Sequence, residues 1–198
     1  MRKTFLCIAA FSIGFCSVSA KELQIDKSAK NSVMFTSDAK IESFSGVTDK
    51  IDGYAMFQGD ELKPDATLTG SKLYFEVELN GLDTGIGMRN RHMREIYLET
   101  DKFPYAQFTG EIIKIDTAAN HEFTISIAGK LSIHGKDQPV TAVGLVTPQT
   151  DDRLTVQTKF EVKLPDYGIK VPTLMFLKIS ETIKLELDFT LKGVQKGK

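Results

Sequence analysis

The chain has 198 residues, with 25 lysines and arginines against 26 aspartates and glutamates. This length fits a single domain with its own hydrophobic core. The nearly balanced charge gives no electrostatic case for binding nucleic acid or an anionic membrane surface.

Residues 1–20 have the pattern of a cleaved secretory signal peptide. Arg2 and Lys3 precede an apolar run over residues 5–15, and residues 17–20 (SVSA) come directly before the expected cleavage site at Lys21. The run is too short to span a bilayer, and no second run of that length follows. We therefore expect residues 21–198 to form one domain, with 23 basic against 26 acidic residues and no stable membrane insertion.

Both cysteines of the chain, Cys7 and Cys16, lie within the predicted signal peptide. The mature domain is therefore expected to have neither a disulfide nor a thiolate site. Residues 13–16, Ile-Gly-Phe-Cys, loosely resemble the site where bacterial lipoproteins are cleaved and acylated. A lipoprotein anchored at Cys16 is thus the alternative to a secreted protein.

Alternating apolar and charged residues predict about eight β-strands along the mature chain. The final segment is the most regular, because every second residue from Ile183 to Leu191 is apolar and those between are polar or charged. The predicted strand regions are two short segments in 23–35, an interrupted pair in 41–59, then 71–79, 108–115, 121–133, 140–146, 154–164 and 181–191.

Strands with one apolar face must bury that face in an antiparallel barrel or sandwich, and alternation alone does not choose between the two. The other face is rich in Lys, Glu and Asp, which would be intolerable against lipid. The sequence therefore argues against an outer-membrane barrel.

Residues 82–108 interrupt the strand pattern with a charged, helix-compatible insert. Met93, Ile96 and Tyr97 recur at the i, i+3, i+4 spacing of one helical face. We predict a short amphipathic helix, with Thr84 capping its start, and call residues 82–98 the lid.

Several motifs together resemble the YceI-like family of bacterial periplasmic proteins, which are small lipocalin-like barrels associated with binding polyisoprenoids or other long-chain lipids. The chain differs from the usual family pattern at Asn90, where Asp is usual, and at Met93, where Leu is usual. The motifs are Gly46 and Gly53, residues 82–85 (LDTG), 89–94 (RNRHMR), 102–104 (KFP), Phe108, 129–135 (GKLSIHG) and 166–169 (DYGI).

The resemblance implies an all-β fold: a single antiparallel lipocalin-like β-barrel of about eight strands with a short lid helix. It also implies a periplasmic binding or carrier protein, not an enzyme, which holds a long apolar lipid of polyisoprenoid type and needs no other cofactor. The alternative is a structural or stress-response protein of the periplasm with a packed barrel, acting through a protein partner. A closed eight-stranded sheet is at the size where either interior is possible.

On this interpretation an apolar ligand contacts the barrel interior and the lid, while Arg89 and His92 are possible head-group contacts. The alternative for these two residues is a solvated helix face. The predicted ligand-binding residues are Phe35, Phe75, Val77, Met88, Met93, Ile96, Phe108, Ile125, Ile127, Phe160, Val162, Met175, Phe176, Leu187 and Phe189.

Other chemistry has little support in the sequence. The three histidines, His92, His121 and His134, show no metal-ligand spacing, and no G-x-S-x-G motif is present. A lipid hydrolase or isomerase remains an alternative that predicts turnover dependent on His92. The apolar run 174–177 could be the lip of a tunnel or the contact of a homodimer.

Overall fold

The structure, a computed structural model, describes residues 20–38, 43–59, 62, 70–149, 152–174 and 177–194, with no side chains at 173–174 and 177–178. The predicted signal peptide, except Ala20, lies outside these residues together with both cysteines. Met175 and Phe176 also lie outside them, so their predicted ligand contact stays a prediction.

The described residues are mostly strand, in agreement with the alternation. Two of the helical turns, at Leu79–Gly81 and Leu164–Tyr167, are 3₁₀ helices. The strands are β1 (Ala20–Ile25), β2 (Ser32–Ser37), β3 (Phe44–Thr48), β4 (Ile51–Gln58), β5 (Lys72–Glu78), β6 (Tyr105–Thr117), β7 (Phe123–Ile133), β8 (Lys136–Pro148), β9 (Arg153–Lys163), β10 (Thr173–Leu174), β11 (Leu177–Lys178) and β12 (Thr182–Gly193).

The strands close into an antiparallel barrel, which confirms the predicted fold class. The barrel wall has eight staves, where a stave is either one strand or two consecutive strands that lie in line. Neighbours pair in the order β1-β4-β5-β6-β7-β8-β9-β12, and β12 closes the ring on β1. β2 continues the stave of β1 beside β12, and β3 precedes β4 in the adjacent stave. Two of the eight staves are therefore interrupted strands, as the sequence predicted for residues 23–59.

The interruption between β1 and β2 is built around Asp26, whose side chain is fully buried. Its carboxylate accepts hydrogen bonds from the Ser28 hydroxyl at 2.7 Å and from Lys192 Nζ at 3.0 Å, and Arg153 Nε lies 3.1 Å away. The hydrogen bonds from Ser28, and then that from Lys192, lower the pKa of Asp26 to about 2. Asp26 thus links the broken first stave to the strand that closes the barrel.

Two strand predictions needed revision. β8 has 13 residues, longer than the predicted segment 140–146. In the loop predicted around residues 174–177, the backbone of β10 pairs with that of β11 as a short antiparallel ladder. Both differences arise because strand pairing is decided by the neighbouring backbone as well as by apolar alternation.

The lid connects β5 to β6, so it lies at the end of the barrel where β5, β7 and β9 end; we call this the mouth end. The connection from β9 to β12 lies at the same end. The lid helix runs from Gly87 to His92 (α1) and continues as a π-helical turn from Met93 to Tyr97. No helix in the described parts of the chain has the length and apolarity needed to cross a bilayer.

Candidate ligand cavity

The barrel encloses a cavity of about 620 Å³, a volume within the usual range of small-molecule sites. Its walls are the inward-facing residues of the staves together with part of the lid. β6 has 13 residues, and a strand of that length, tilted as in other barrels, spans roughly 30 Å along the axis. The side chains therefore do not fill the barrel interior, and the barrel is about as long as a 13-residue strand allows.

The predicted interior residues line this cavity, because strand residues of one parity share a face. Those of the prediction that line it are Phe35, Phe75, Val77, Phe108, Ile125, Ile127, Phe160, Val162, Leu187 and Phe189. Many further apolar residues of the same faces line it too, among them Val33, Leu131, Val156 and Leu185.

Three predicted lid residues divide between the cavity and solvent. Met88 and Met93 line the cavity, whereas Ile96 does not and has 55% of its surface exposed. The turn that begins at Met93 is a π turn, in which Leu98 N–H donates to Met93 O. This wider turn places Tyr97 and Leu98, not Ile96, on the side of Met93. The structure thus places Ile96 outside the cavity wall, and its predicted ligand contact stays a prediction.

Glycines in the staves face three of the phenylalanine rings that line the cavity. A Cβ built on Gly46 would lie 2.4 Å from Phe35 Cε1, and one on Gly53 would lie 2.7 Å from Phe75 Cδ1. A Cβ on Gly129 would lie 2.8 Å from Phe108 Cε2. Each ring therefore lies close to the barrel wall, in space that a side chain at the glycine position would fill.

The polar part of the lining is concentrated at the mouth end. Arg89 and His92 line the cavity there, and the Arg89 guanidinium stacks 4.5 Å from the centre of the Phe44 ring. Deeper in the barrel, the Thr158 hydroxyl already donates to Val143 O at 2.9 Å. Arg89 and His92 are the two lining residues with an ionisable nitrogen.

Tyr167 was not among the predicted site residues, but it lines the cavity and is only 3% exposed. Burial raises the pKa of its hydroxyl above the usual value, so the group stays protonated. The hydroxyl has no hydrogen bond to any residue that the structure describes. It is therefore a polar group available to a ligand.

Asn90, in the lid helix, holds the first residues of the lid in place. Its side-chain oxygen accepts from Thr84 N at 2.8 Å and from Thr84 Oγ1 at 2.7 Å, while its Nδ2 donates to Asp83 at 2.7 Å. Thr84 therefore does not cap the helix, whose N-cap residue is Ile86. The hydrogen bonds from Asn90, and then from Gly85 N, lower the pKa of Asp83.

The segment that directly follows the lid is held by His134, in the turn between β7 and β8. His134 Nε2 lies 3.0 Å from Glu99 Oε2, and its Nδ1 lies 3.3 Å from Tyr167 O. The ring also packs against Phe103, with centroids 4.7 Å apart. The bond from Lys102, and then that from His134, lower the pKa of Glu99. One side chain thus connects the segment after the lid, the β7–β8 turn and the 3₁₀ helix at Tyr167.

Within the described residues, no group of three or more His, Cys, Asp or Glu side chains is arranged to hold a metal ion. The mouth-end histidines serve different contacts: His92 is exposed at the cavity rim and His134 is half-buried behind it.

Comparison with known proteins agrees with this architecture. The model of the YceI-like domain family matches residues 23–191. A UPF0312 protein of Pseudomonas putida (strain W619) is 28% identical, over 98% of this chain and 98% of that protein. Protein YceI of Salmonella newport (strain SL254) is 28% identical, over 85% and 88% of the two chains.

The fold is also that of a solved structure described as a polyisoprenoid binding domain from Saccharophagus degradans implicated in plant cell wall breakdown. The TM-score is 0.65 at 18% identity, and the match covers 87% of this chain and 98% of that one.

Proposed function

The chain belongs to the YceI-like domain family, and from that premise we propose that it binds one long apolar molecule of isoprenoid type inside its barrel. The observation that carries the proposal is the cavity of about 620 Å³, whose walls are apolar apart from Thr158 and the residues of the mouth end. The structural neighbour described as a polyisoprenoid binding domain supports the same ligand class.

The apolar walls favour an apolar ligand, because burying polar groups without hydrogen-bond partners costs free energy. A polar chain would leave its groups without partners along the interior, since Thr158 is already bonded to the backbone. Each buried methylene contributes about 0.8 kcal/mol, less the cost of ordering the chain. The affinity should therefore rise with chain length until the cavity is full.

The ligand's polar end is proposed to lie at the mouth end. Arg89 and His92 line the cavity there and can donate to a phosphate or carbonyl oxygen. The protonated Tyr167 hydroxyl supplies a neutral donor. The apolar end then occupies the barrel beside Phe75 and Phe189, whose rings lie 5.3 Å apart.

The protein is proposed to act as a carrier or store in the periplasm, without turnover. The signal-peptide pattern of residues 1–20 supports the location. His92 has no hydrogen bond to a carboxylate or hydroxyl among the described residues, which favours binding over catalysis. The open cavity also gives little support to the alternative of a packed barrel acting through a protein partner.

Calorimetric titration of the purified protein tests the binding proposal. We expect one equivalent of a prenyl phosphate or isoprenoid quinone to bind, with a Tyr167→Phe variant binding either of them several-fold more weakly than the native protein. A plain hydrocarbon of equal length should bind both proteins alike. If no isoprenoid binds, the proposal is wrong.

The mass of the mature amino terminus tests the location. A mature chain that begins at Lys21 indicates secretion, whereas an acylated Cys16 indicates anchoring.

A further inference from the structure

His134 occupies a turn position that its residue type does not favour. It is the first of the two residues that link β7 to β8, and both it and Gly135 have positive φ angles, of 51° and 69°. Two-residue turns with positive φ at both positions strongly prefer Asn or Asp followed by Gly. The turn itself therefore does not explain the histidine, whereas the contacts of its side chain do.

Each nitrogen of the His134 ring faces an oxygen that accepts hydrogen bonds. Nε2 lies 3.0 Å from Glu99 Oε2, and Nδ1 lies 3.3 Å from Tyr167 O. A neutral imidazole has one N–H and can donate to only one of the two oxygens, which leaves a nitrogen lone pair directed at the other. An imidazolium donates to both. The protonated ring is therefore the form that makes both contacts at once.

The charge of the ring is the one that changes in this cluster near neutral pH. The bond from Lys102, and then that from His134, lower the pKa of Glu99, so its carboxylate stays ionised. Carboxylates, lysines and phenols ordinarily titrate outside the range of about pH 5 to 8, whereas imidazole titrates within it. The other titratable residues next to these contacts are Asp101 and Lys102 after the lid, Lys136 and Asp137 at the start of β8, and Asp166 and Tyr167 in the 3₁₀ helix.

The ring also joins the end of the lid to a cavity wall. Glu99 directly follows Leu98, which is the last residue of the lid and lines the cavity. Glu99 has a φ of 44°, a strained conformation for a residue with a side chain, and such a residue keeps it only where its surroundings hold it there. On the other side of the ring, Tyr167 buries its side chain in the same cavity. Losing the contact with Glu99 therefore loosens the lid where its chain leaves the cavity.

We propose that His134 is a pH switch, which holds the lid in place while its ring is protonated. As the pH rises through the histidine range, the ring gives its proton to water and can no longer donate to both Glu99 and Tyr167. The lid is therefore held below about pH 6 and loosened above about pH 7.5. The consequence for the ligand rests on the proposed function: a bound chain leaves faster at the higher pH.

Release of a bound polyprenol at two pH values tests the switch. The probe is uncharged, so a change of charge at His92 on the rim neither attracts nor repels it. We expect the native protein to release it about fivefold faster at about pH 8 than at about pH 5.5. The variant His134→Asn places the preferred residue in the turn and should release the probe equally fast at both values. Glu99→Gln removes the charge that faces the ring and should lose most of the pH dependence.

The chain offers a matched control at the opposite end of the barrel. His121 lies in the turn between β6 and β7, is exposed, and has a positive φ of 64°. It has no hydrogen bond or ion pair with any residue that the structure describes. The variant His121→Asn makes the same substitution in the same backbone conformation and should keep the native pH dependence. Native pH dependence in His134→Asn, or its loss in His121→Asn, would overturn the switch.

Hydrogen exchange of the ligand-free protein separates this inference from the proposed function. Protection factors correct for the intrinsic effect of pH on exchange. We expect them to fall between about pH 5.5 and pH 8 in the native protein but not in His134→Asn. The amides to follow are those that donate to backbone oxygens of residues 93–99, at Leu98, Thr100, Lys102 and Phe103.

The two measurements give different results for the two ideas. The expected change in protection, in a protein that binds no isoprenoid, would support the switch and overturn the proposed function. Protection that does not change with pH, in a protein that does bind an isoprenoid, would overturn the switch and leave the proposed function intact.

Discussion

The ring of Phe35 lies against Gly46, its partner on the neighbouring strand, so closely that a Cβ on Gly46 would be 2.4 Å from Phe35 Cε1. Phe75 lies against Gly53 in the same way. Phenylalanine is bulky, and eight staves leave little room inside. Because the glycines let these rings occupy space beside the wall, part of the interior stays open.

Replacing Gly46 with alanine should reduce the room inside the barrel. The three atoms nearest to its Cβ belong to side chains, two to the Phe35 ring and one to the Thr84 methyl group at 3.1 Å, so the Phe35 ring must move. We expect about tenfold weaker binding of an isoprenoid and a loss of about 1–3 kcal/mol in the free energy of unfolding. Titration and denaturant unfolding measure the two effects.

The compensating change is Phe35→Leu in the Gly46→Ala background. The smaller side chain removes the clash, so affinity and stability should recover in part. An alanine at position 46 that leaves both quantities at their native values would show that the glycine does not set the room available to the ligand.

Filling the cavity tests whether it is open. Ala142 is 6% exposed and lines the cavity, so the ring of Ala142→Phe would enter space that a packed core does not have. We expect a small change in melting temperature but a large loss of isoprenoid binding. A packed interior predicts the reverse, a loss of several kcal/mol from overpacking. Ala128→Phe, on the outward face of β7, is the control and should leave binding unchanged.

The barrel could be predicted from the sequence because inward and outward alternation depends only on residue parity. The apolar residues from Ile183 to Leu191 all lie on the inner face of β12, as the pattern predicts. The helical position of the lid could be predicted as well, from the interruption of that alternation.

Other features depend on contacts between distant residues or on a change of helical period. The position of Ile96 outside the cavity wall could not be predicted, because the π turn that begins at Met93 is not visible as a spacing of apolar residues. Asp26 meets Lys192 across 166 positions of sequence, and Tyr167 meets His134 across 33. The pairing of Gly46 with Phe35 requires the strand register, which alternation alone does not determine.

Asn90 should control how fast the ligand enters and leaves. Asn90→Ala removes the hydrogen bonds to Thr84 and Asp83 at the start of the lid, each worth about 1 kcal/mol. We expect dissociation of a bound isoprenoid to become about tenfold faster and the amides of residues 86–98 to exchange faster with solvent. Stopped-flow release and hydrogen exchange measure these effects.

Asn80→Ala is the matched control for the lid variant, because Asn80 is exposed in the 3₁₀ helix before the lid. It should leave release and exchange at native rates. Native release kinetics in Asn90→Ala would mean that these hydrogen bonds do not hold the lid.

Asp26 should contribute to the acid sensitivity of the fold. The pKa of Asp26 is about 2 in the folded protein, against an ordinary value of 3.8 for aspartate, so the unfolded state takes up the proton first as the pH falls. The stabilisation is therefore fully present above about pH 4 and disappears toward pH 2. Asp26→Asn should melt at a lower temperature at pH 7, with the difference from native protein shrinking as the pH falls.

The exposed pair of Asp52 and Lys27 provides the comparison, since Lys27 lowers the pKa of Asp52 at the surface. Asp52→Asn should change the melting temperature much less, because exposed ion pairs contribute little. A difference between native protein and Asp26→Asn that stays constant from pH 7 to pH 2 would contradict the assigned role of the charge.

Mass spectrometry of the protein isolated without detergent from the cells that make it tests the central claim most directly. The native spectrum gives the mass of the complex, and organic extraction of the same sample identifies what was bound. We predict one lipid per chain, with an isoprenoid chain. A bare polypeptide mass that stays unchanged after isoprenoid quinones or prenyl phosphates are added would contradict the account.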